Sequence, residues 1–329
     1  MPAVSVIMAV KNSESTLLRA VNSIIEQTFG DFELLIGDDF SSDNTPHILS
    51  KLNDSRIKVL KASEQGLVPA LNHCLTNATG QYISRMDSDD YAYPTRLEKQ
   101  TQFLKDNPEI GVVSGLVNHV PTENNQEGYA LYVREINKII TPEEHYFNRF
   151  RDAPLANPSA TFRTSLLKEF GDYKQFDGPE DYEFWLRLMN AGVLFMKLKE
   201  PVLDWYDYSY RLTRNNSNYS SDAFHKLKAK YFAEWWTNQA RTNRKIWVWG
   251  FGKDVFNKSK WLEEHGVTIE GYIDITEKPT SRKKIHYSKI IKQEMFILVY
   301  VSDRKGQQNI SNWFTANWYE PTKDYYFMT

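Results

Sequence analysis

The chain has 329 residues, 41% hydrophobic and 25% charged, ordinary globular values for one large domain plus a smaller one. A formal net charge of −2 provides no basic field, which argues against a nucleic-acid partner. Its one cysteine, Cys74, excludes an intrachain disulfide and a cysteine-rich zinc centre and suits a reducing, cytoplasmic setting. The apolar run over 3–10 predicts a strand buried on both faces; it lacks a basic leader, so it does not read as a signal peptide. No apolar stretch approaches the ~20 residues that cross a bilayer, so the expectation is a soluble protein or, at most, one held peripherally at the inner face of the plasma membrane.

A helix is expected over 15–27, with Leu17, Leu18, Val21, Ile24 and Ile25 on one face. Strand 32–37 ends in Asp38-Asp39, and Thr45-Pro46 opens a short helix to about 52. Strand 57–60, a helix over 67–78 that packs Cys74, and strand 82–86 follow. Tyr91-Ala92-Tyr93-Pro94 breaks any continuation of that strand. Strand–helix alternation with such short loops predicts an α/β fold with a doubly wound parallel sheet, whose ligands bind beyond the carboxyl ends of the strands. Asn12, Asp38-Asp39 and Asp87-Ser88-Asp89 all fall at those ends.

From residue 96 the pattern is mixed. A helix runs to 107, 111–115 is apolar, and Thr141-Pro142 starts a further helix. Asn157-Pro158-Ser159 leads a strand to 163, and Glu180-Asp181 opens a periodic helix carrying Phe184, Trp185, Leu188 and Met189. The helix over 223–236 bears Lys226, Lys228 and Lys230 among five aromatics. It could lie on an anionic membrane, but a helix of this length more readily buries its aromatics between domains. Strand 245–249, Gly250-Phe251-Gly252, a helix to 265, strand 267–273 ending at Asp274 and strand 296–301 form a second α/β unit. The expected domains are therefore 1–220, a connecting amphipathic helix over 221–244, and a Rossmann-like 245–329. Gly250-x-Gly252 imitates a dinucleotide fingerprint, but Val255 holds the third glycine position, so docking or homo-oligomerisation is the expected role.

Asp87-Ser88-Asp89-Asp90 is the sharpest chemical signal. Three acids in four residues repel one another unless a divalent cation sits between them, and hard oxygen ligands suit Mg²⁺ or Mn²⁺. Asp181 stands near a helix start, where the dipole favours a carboxylate; position alone favours a helix cap over a general base.

These residues also carry a family resemblance. Residues 4–12, 23–29 and 38–45 resemble the opening of the inverting family 2 glycosyltransferases, which have a GT-A fold. Arg85-Met86-Asp87-Ser88-Asp89-Asp90 with Pro94, Arg96 and Gln100 is similar to that family's metal motif, and Pro179–Leu188 to its catalytic helix. Leu203–Asp207 with Arg211–Arg214 resembles a bacterial branch with a Rossmann-like tail, of cell-surface polysaccharide type. Asn157 stands where many relatives have histidine, and Thr213 where serine is common.

The resemblance implies transfer from a nucleotide diphosphate sugar, a UDP-sugar first, to a glycan or lipid-linked saccharide. Backbone at Ala9 and Val10, with Asn12 and Glu14, would border the base, and Asp39 would accept from base or ribose. Asp89 would ligate the cation, Asp87 would reach it or the ribose, and Ser88 and Arg85 would lie beside the donor. Asp181 would be the general base, with Glu180, Trp185, Arg211 and Arg214 near acceptor or diphosphate. A sugar nucleotidyltransferase would want a glycine-rich loop where Met8–Asn12 has no glycine. A catalytically silent sugar-nucleotide-binding module is the rival outside enzymes.

Overall fold

The structure, a computed structural model, describes residues 1–62, 64–123, 127–239, 243–278 and 280–329. It divides into two compact units: Met1–His145, Pro154–Phe176 and Glu180–Asn215 form the first, and Tyr146–Ala153, Asp177–Pro179 and Asn216–Thr329 the second.

The first unit is built on an eight-stranded mixed sheet. Its strands are β1 (Val4–Val10), β2 (Phe32–Asp38), β3 (Ile57–Lys61), β4 (Tyr82–Arg85), β5 (Tyr91–Ala92), β6 (Ile110–Pro121), β7 (Thr161–Arg163) and β8 (Leu194–Asp207). They lie in the order β3-β2-β1-β4-β7-β6-β8-β5, and the first four run parallel. Alternation along β1 explains the layering. Val4, Val6, Met8 and Val10 pack with Leu17, Val21 and Ile24 on one face. Ile7 packs on the other with Leu71, Cys74 and Ile83. In register, Val10 opposes Asp38 and Ile7 opposes Arg85, so the acidic ends of β2 and β4 emerge at one edge of the sheet.

Two elements are longer or more ordered than the pattern indicates. The apolar stretch at 111–115 is the start of a strand that continues to Pro121, paired in parallel with β8. The register shifts at Gly115, where an added Cβ would overlap Val202, so only glycine permits the approach. Tyr91-Ala92 does not merely break the chain: it forms β5, antiparallel to Asp204 and Leu203 of β8.

The second unit carries a five-stranded, wholly parallel sheet of β9 (Lys245–Trp249), β10 (Ile269–Asp274), β11 (Lys284–His286), β12 (Met295–Val299) and β13 (Tyr325–Phe327). Its order is β11-β10-β9-β12-β13. The helix Ser221–Asn238, expected as a connector, belongs to this unit, as do residues 146–153 from the middle of the expected first domain. The cause is aromatic packing: Trp235 meets Tyr326 at 5.1 Å and Phe150 meets Phe232 at 5.6 Å between ring centroids. Tyr231, Phe232 and Trp235 are thereby buried, and Lys228 turns inward to donate to the carbonyls of Arg151 and Met328 at 3.1 and 2.8 Å. That face is spent on the core and is not free to lie on a membrane. No described helix is long and apolar enough to cross one.

One buried charge ties β1, β2 and the loop before β4. Glu33 accepts from Ser5 Oγ at 2.7 Å, Thr79 N at 2.8 Å and Lys58 Nζ at 2.7 Å. Burial alone would raise its pKa; the bonds from Lys58, Ser5 and Thr79 overcome that and hold it at about 2. A depressed folded pKa means stability that is complete above about 4.5 and lost as pH falls towards 2. Glu33→Gln is expected to cost on the order of 2–3 kcal/mol at pH 7 in urea unfolding, and the gap from the parent should close as the titration is repeated towards pH 3.

Candidate active site

The acidic segment is clamped at both ends. β4 delivers Asp87 from the sheet's interior, and β5 fixes the exit against β8. From below, a guanidinium of Arg19 donates to the carbonyl of Asp89, braced by the Tyr208 hydroxyl at 3.2 Å and the Tyr206 ring at 3.7 Å. A buried polar network holds β4 itself: Arg96 donates to the Arg85 carbonyl at 2.7 Å, and Gln100 accepts from Thr161 Oγ1 at 2.7 Å while donating to Ser159 O at 2.8 Å.

Asp87, Asp89 and Asp90 each offer an oxygen within 4.8 Å of the others. Asp87 also pairs with buried Arg85 at 2.7 Å. Asp90 is fully buried; one oxygen accepts from Tyr206 N at 3.0 Å and the other has no partner among the described residues. Burial and then the Asp87 charge push Asp89 up to about 6, against the pull of Arg211 and Arg19. Burial and both neighbouring acids push Asp90 well above the usual carboxylate range. An orphaned carboxylate oxygen within a crowd of like charges is what a hard divalent cation would satisfy, so the donor set fits Mg²⁺ or Mn²⁺.

Asp181 opens the helix Glu180–Asn190, where its Oδ1 accepts from Tyr182 N at 2.6 Å. Burial, then Glu180, then Asp87 raise its pKa to about 7, while Arg85 pulls the other way. Asp87 therefore acts on Asp89 and Asp90 on one side and on Asp181 on the other. The strand-end acids and the helix-start acid share one electrostatic neighbourhood.

The other expected residues fall into three groups. At the β1 end, Val10 O accepts from Asp39 N at 2.9 Å, just beyond Ala9. Asn12, with a left-handed φ of 49°, accepts from Ser42 N at 2.8 Å, and Glu14 accepts from Asn44 N at 2.8 Å. Asp39 accepts from Gly66 N at 2.6 Å and pairs with Lys11 at 3.0 Å, and Ser88 meets Ser13, Oγ to Oγ, at 2.8 Å. These side chains lace the β1, β2 and β4 end loops into one rim. Arg211 belongs to the acidic cluster: it donates to Tyr206 O at 2.6 Å, lies over Trp205 at 4.8 Å, and its charge lowers Asp89 and Asp90. Arg214 is held by Asp207 at 2.7 Å instead.

Trp185 is a correction. Expected near acceptor or diphosphate, it is fully buried, with Phe162 and Phe195 edge-on at 5.9 and 5.8 Å, and cannot touch a ligand there. It is a core residue. Asn157 is also buried, and its Oδ1 lacks a described partner.

The sequence reading missed four contributors. Asp90 was in the motif but not assigned to the cation. Arg19 gives no local signal, since its target is seventy residues away. Tyr206, Tyr208 and Tyr210 form a stacked ladder with centroids 6.1 and 4.8 Å apart, and their spacing of two was the available clue. Tyr173 is buried with its hydroxyl unpartnered among the described residues, in the fields of Arg85, Asp181, Glu180 and Asp87.

A raised carboxyl pKa has a thermal consequence. Unfolded, Asp181 ionises near 3.8; folded, it holds its proton to about 7, so its contribution to stability declines as pH rises between those values. Asp181→Asn stays neutral throughout. Its Tm should match the parent near pH 4 and exceed it at pH 8, measured by differential scanning calorimetry.

Residues 5–171, about half of the chain, match the family described as Glycosyl transferase family 2. The chain is 32% identical to EpsE of Bacillus subtilis (strain 168), over 67% of this chain and 79% of that one. It is 30% identical to the UDP-Glc:alpha-D-GlcNAc-diphosphoundecaprenol beta-1,3-glucosyltransferase WfgD of Escherichia coli, over 69% and 83%. Among solved structures it is similar to residues 1–349 of S. aureus TarS in complex with UDP-GlcNAc, at TM-score 0.56 and 20% identity, covering 80% of this chain and 71% of that one. It also resembles the mannosyltransferase PcManGT from Pyrobaculum calidifontis in complex with GDP-Man and Mn²⁺, at TM-score 0.51 and 18% identity, covering 80% and 73%. The chain belongs to glycosyl transferase family 2.

Proposed function

We propose that this family 2 glycosyltransferase is metal-dependent and inverting, and that it moves a sugar from a UDP-sugar to a glycan or lipid-linked saccharide in cell-surface polysaccharide assembly. The observation that carries the reading is the shared field of Asp87 and Asp181, which joins a cation seat to a carboxylate of pKa about 7. The UDP-GlcNAc bound by TarS and the lipid-linked acceptor named for WfgD support the donor and acceptor classes.

The rim made by Asn12, Glu14 and Asp39 borders the nucleotide, beyond the ends of β1 and β2. Asp87, Asp89 and Asp90 would hold the cation. When bound, that cation neutralises charge growing on the departing diphosphate, usually a leading catalytic contribution. Arg211, already facing the same acids, is placed to face that diphosphate too. Asp181 takes the proton from the acceptor hydroxyl. The acceptor oxygen bonds to the anomeric carbon as the bond to the diphosphate oxygen breaks, with inversion and no covalent intermediate. A carboxylate at about 7 is matched to this task near neutral pH, half-ionised yet basic enough to accept the proton. Tyr210, exposed at the end of the stacked Tyr206–Tyr208–Tyr210 ladder, offers a ring face for an acceptor sugar.

Three measurements separate the parts. Thermal shift with UDP should show stabilisation that requires Mn²⁺, vanishes with EDTA and is lost in Asp89→Ala; stabilisation by UDP regardless of metal sinks the metal assignment. Asp181→Asn should keep the Mn²⁺-dependent UDP shift while transfer falls roughly 10²–10⁴-fold. In the parent, kcat/KM should fall about tenfold per pH unit below about 7, because protonation removes the base. Normal turnover by Asp181→Asn would leave the general base unassigned.

A further inference from the structure

The second unit contains a cavity of about 600 Å³ that the reaction above does not use. The strand order reverses between β9 and β12, and the cavity opens there. Gly250 after β9, Asp274 at the end of β10 and Val301 after β12 line it. Crevices at such switch points are where open α/β sheets bind ligands. Gly252 has room above it, since an added Cβ would meet nothing within 4 Å.

The lining decides the ligand class. A dinucleotide would place its pyrophosphate at the start of the helix Lys253–Glu264, but Asp254 already occupies that first turn. Val255, at the third glycine position, stands with its Cγ2 3.1 Å from where a Cβ on Gly250 would lie. The other helix opening on the cavity, Arg304–Ala316, is capped by Asp303, which accepts from Gly306 N at 2.6 Å. Both helix starts are met by carboxylates, and no lysine or arginine lines the wall among the described residues. Two ammonium groups that reach the lining carboxylates are engaged there: Lys258 with Asp254 at 2.8 Å and Lys284 with Asp274 at 3.3 Å. An anionic ligand is therefore disfavoured.

What remains is a site with acceptors at its mouth and aromatic walls. Trp249, Tyr287 and Trp313 supply the walls, with Trp249 and Trp313 edge-to-face at 5.2 Å. Each carboxylate offers about four acceptor positions, more than its protein bonds use. A pyranose presents several hydroxyl donors around one ring and an apolar C–H face, whereas a nucleobase presents roughly one or two donors on one edge. We propose that this cavity is a second ligand site and that it takes a neutral saccharide, hydroxyls towards Asp254, Asp274 and Asp303 and ring face against the aromatic walls.

The full chain should be tested by saturation-transfer NMR against glucose, galactose, N-acetylglucosamine, cellobiose, lactose and N,N′-diacetylchitobiose, with uridine, adenosine and NAD⁺ alongside. At least one saccharide should give signals that persist in Asp89→Ala, which alters the first unit alone. The exposed rim residue Asn309 allows a blocking variant that leaves the core intact. Asn309→Trp should weaken saccharide binding by about tenfold or more. Silence from every saccharide overturns the proposal, as does binding that Asn309→Trp leaves unchanged. So does NAD⁺ or nucleoside binding that this variant abolishes while saccharides are unaffected. Because Asp89→Ala is the parallel control, failure here is distinct from failure of the transferase assignment.

Discussion

Asp87, Asp89, Asp90, Glu180 and Asp181 bring carboxylates from two distant segments into one field, and Arg85, Arg19 and Arg211 are among the guanidiniums that oppose them. Each arginine is committed to backbone as well: Arg85 to Met86, Arg19 to Asp89 and Arg211 to Tyr206. Arg85 pairs with Asp87 at 2.7 Å, whereas Arg19 and Arg211, held to backbone, oppose the acids through their charge. Burial first, and then the neighbouring carboxylates, raise the pKa values of Asp89 and Asp181. Crowding that destabilises the fold is tolerated at sites where a ligand relieves it.

The same constraint explains why so much buried polar structure stands behind the site. A loop of mutually repelling acids would swing apart unless its backbone were held. Arg96, Gln100, Thr161 and Ser159 hold β4 from within the sheet, and the β5–β8 pairing holds the exit. Arg96 is fully buried, and desolvation lowers its pKa to about 9, opposed by the Asp90 and Asp87 charges. Placing a guanidinium there is expensive unless it is well bonded. Its role is consistent with positioning: it bonds the carbonyl from which the acidic segment departs.

How much of this was legible varies with the range of the interaction responsible. β1, β2 and β4 were readable because each is a short apolar run ending in polar residues, and Asn12, Asp39 and Asp87 follow their ends. β6 was read only to Gly115, because its later half alternates with Asn118 and His119 and depends on pairing with a strand some eighty residues on. Trp185 was misassigned because it shares a helix with Glu180 and Asp181; helical periodicity alone does not say which face meets the core. The second unit's claim on 146–153 was invisible, since Phe150 and Arg149 find Phe232 and Tyr326 through tertiary packing alone.

In both units the acids discussed above stand beyond the carboxyl ends of parallel strands, yet charge sorts the two edges differently. In the first unit the acids stand on a strand-end loop, close enough together that a cation is the natural complement and an anionic donor can follow it. In the second, acids stand at the starts of two helices, where they cancel the partial positive charge that would otherwise draw a phosphate. Similar topology thus yields one edge suited to a charged ligand with its counter-ion and another suited to an uncharged one. The distinction rests on where Asp89 and Asp254 sit relative to backbone N–H groups, which the doubly wound architecture alone does not specify.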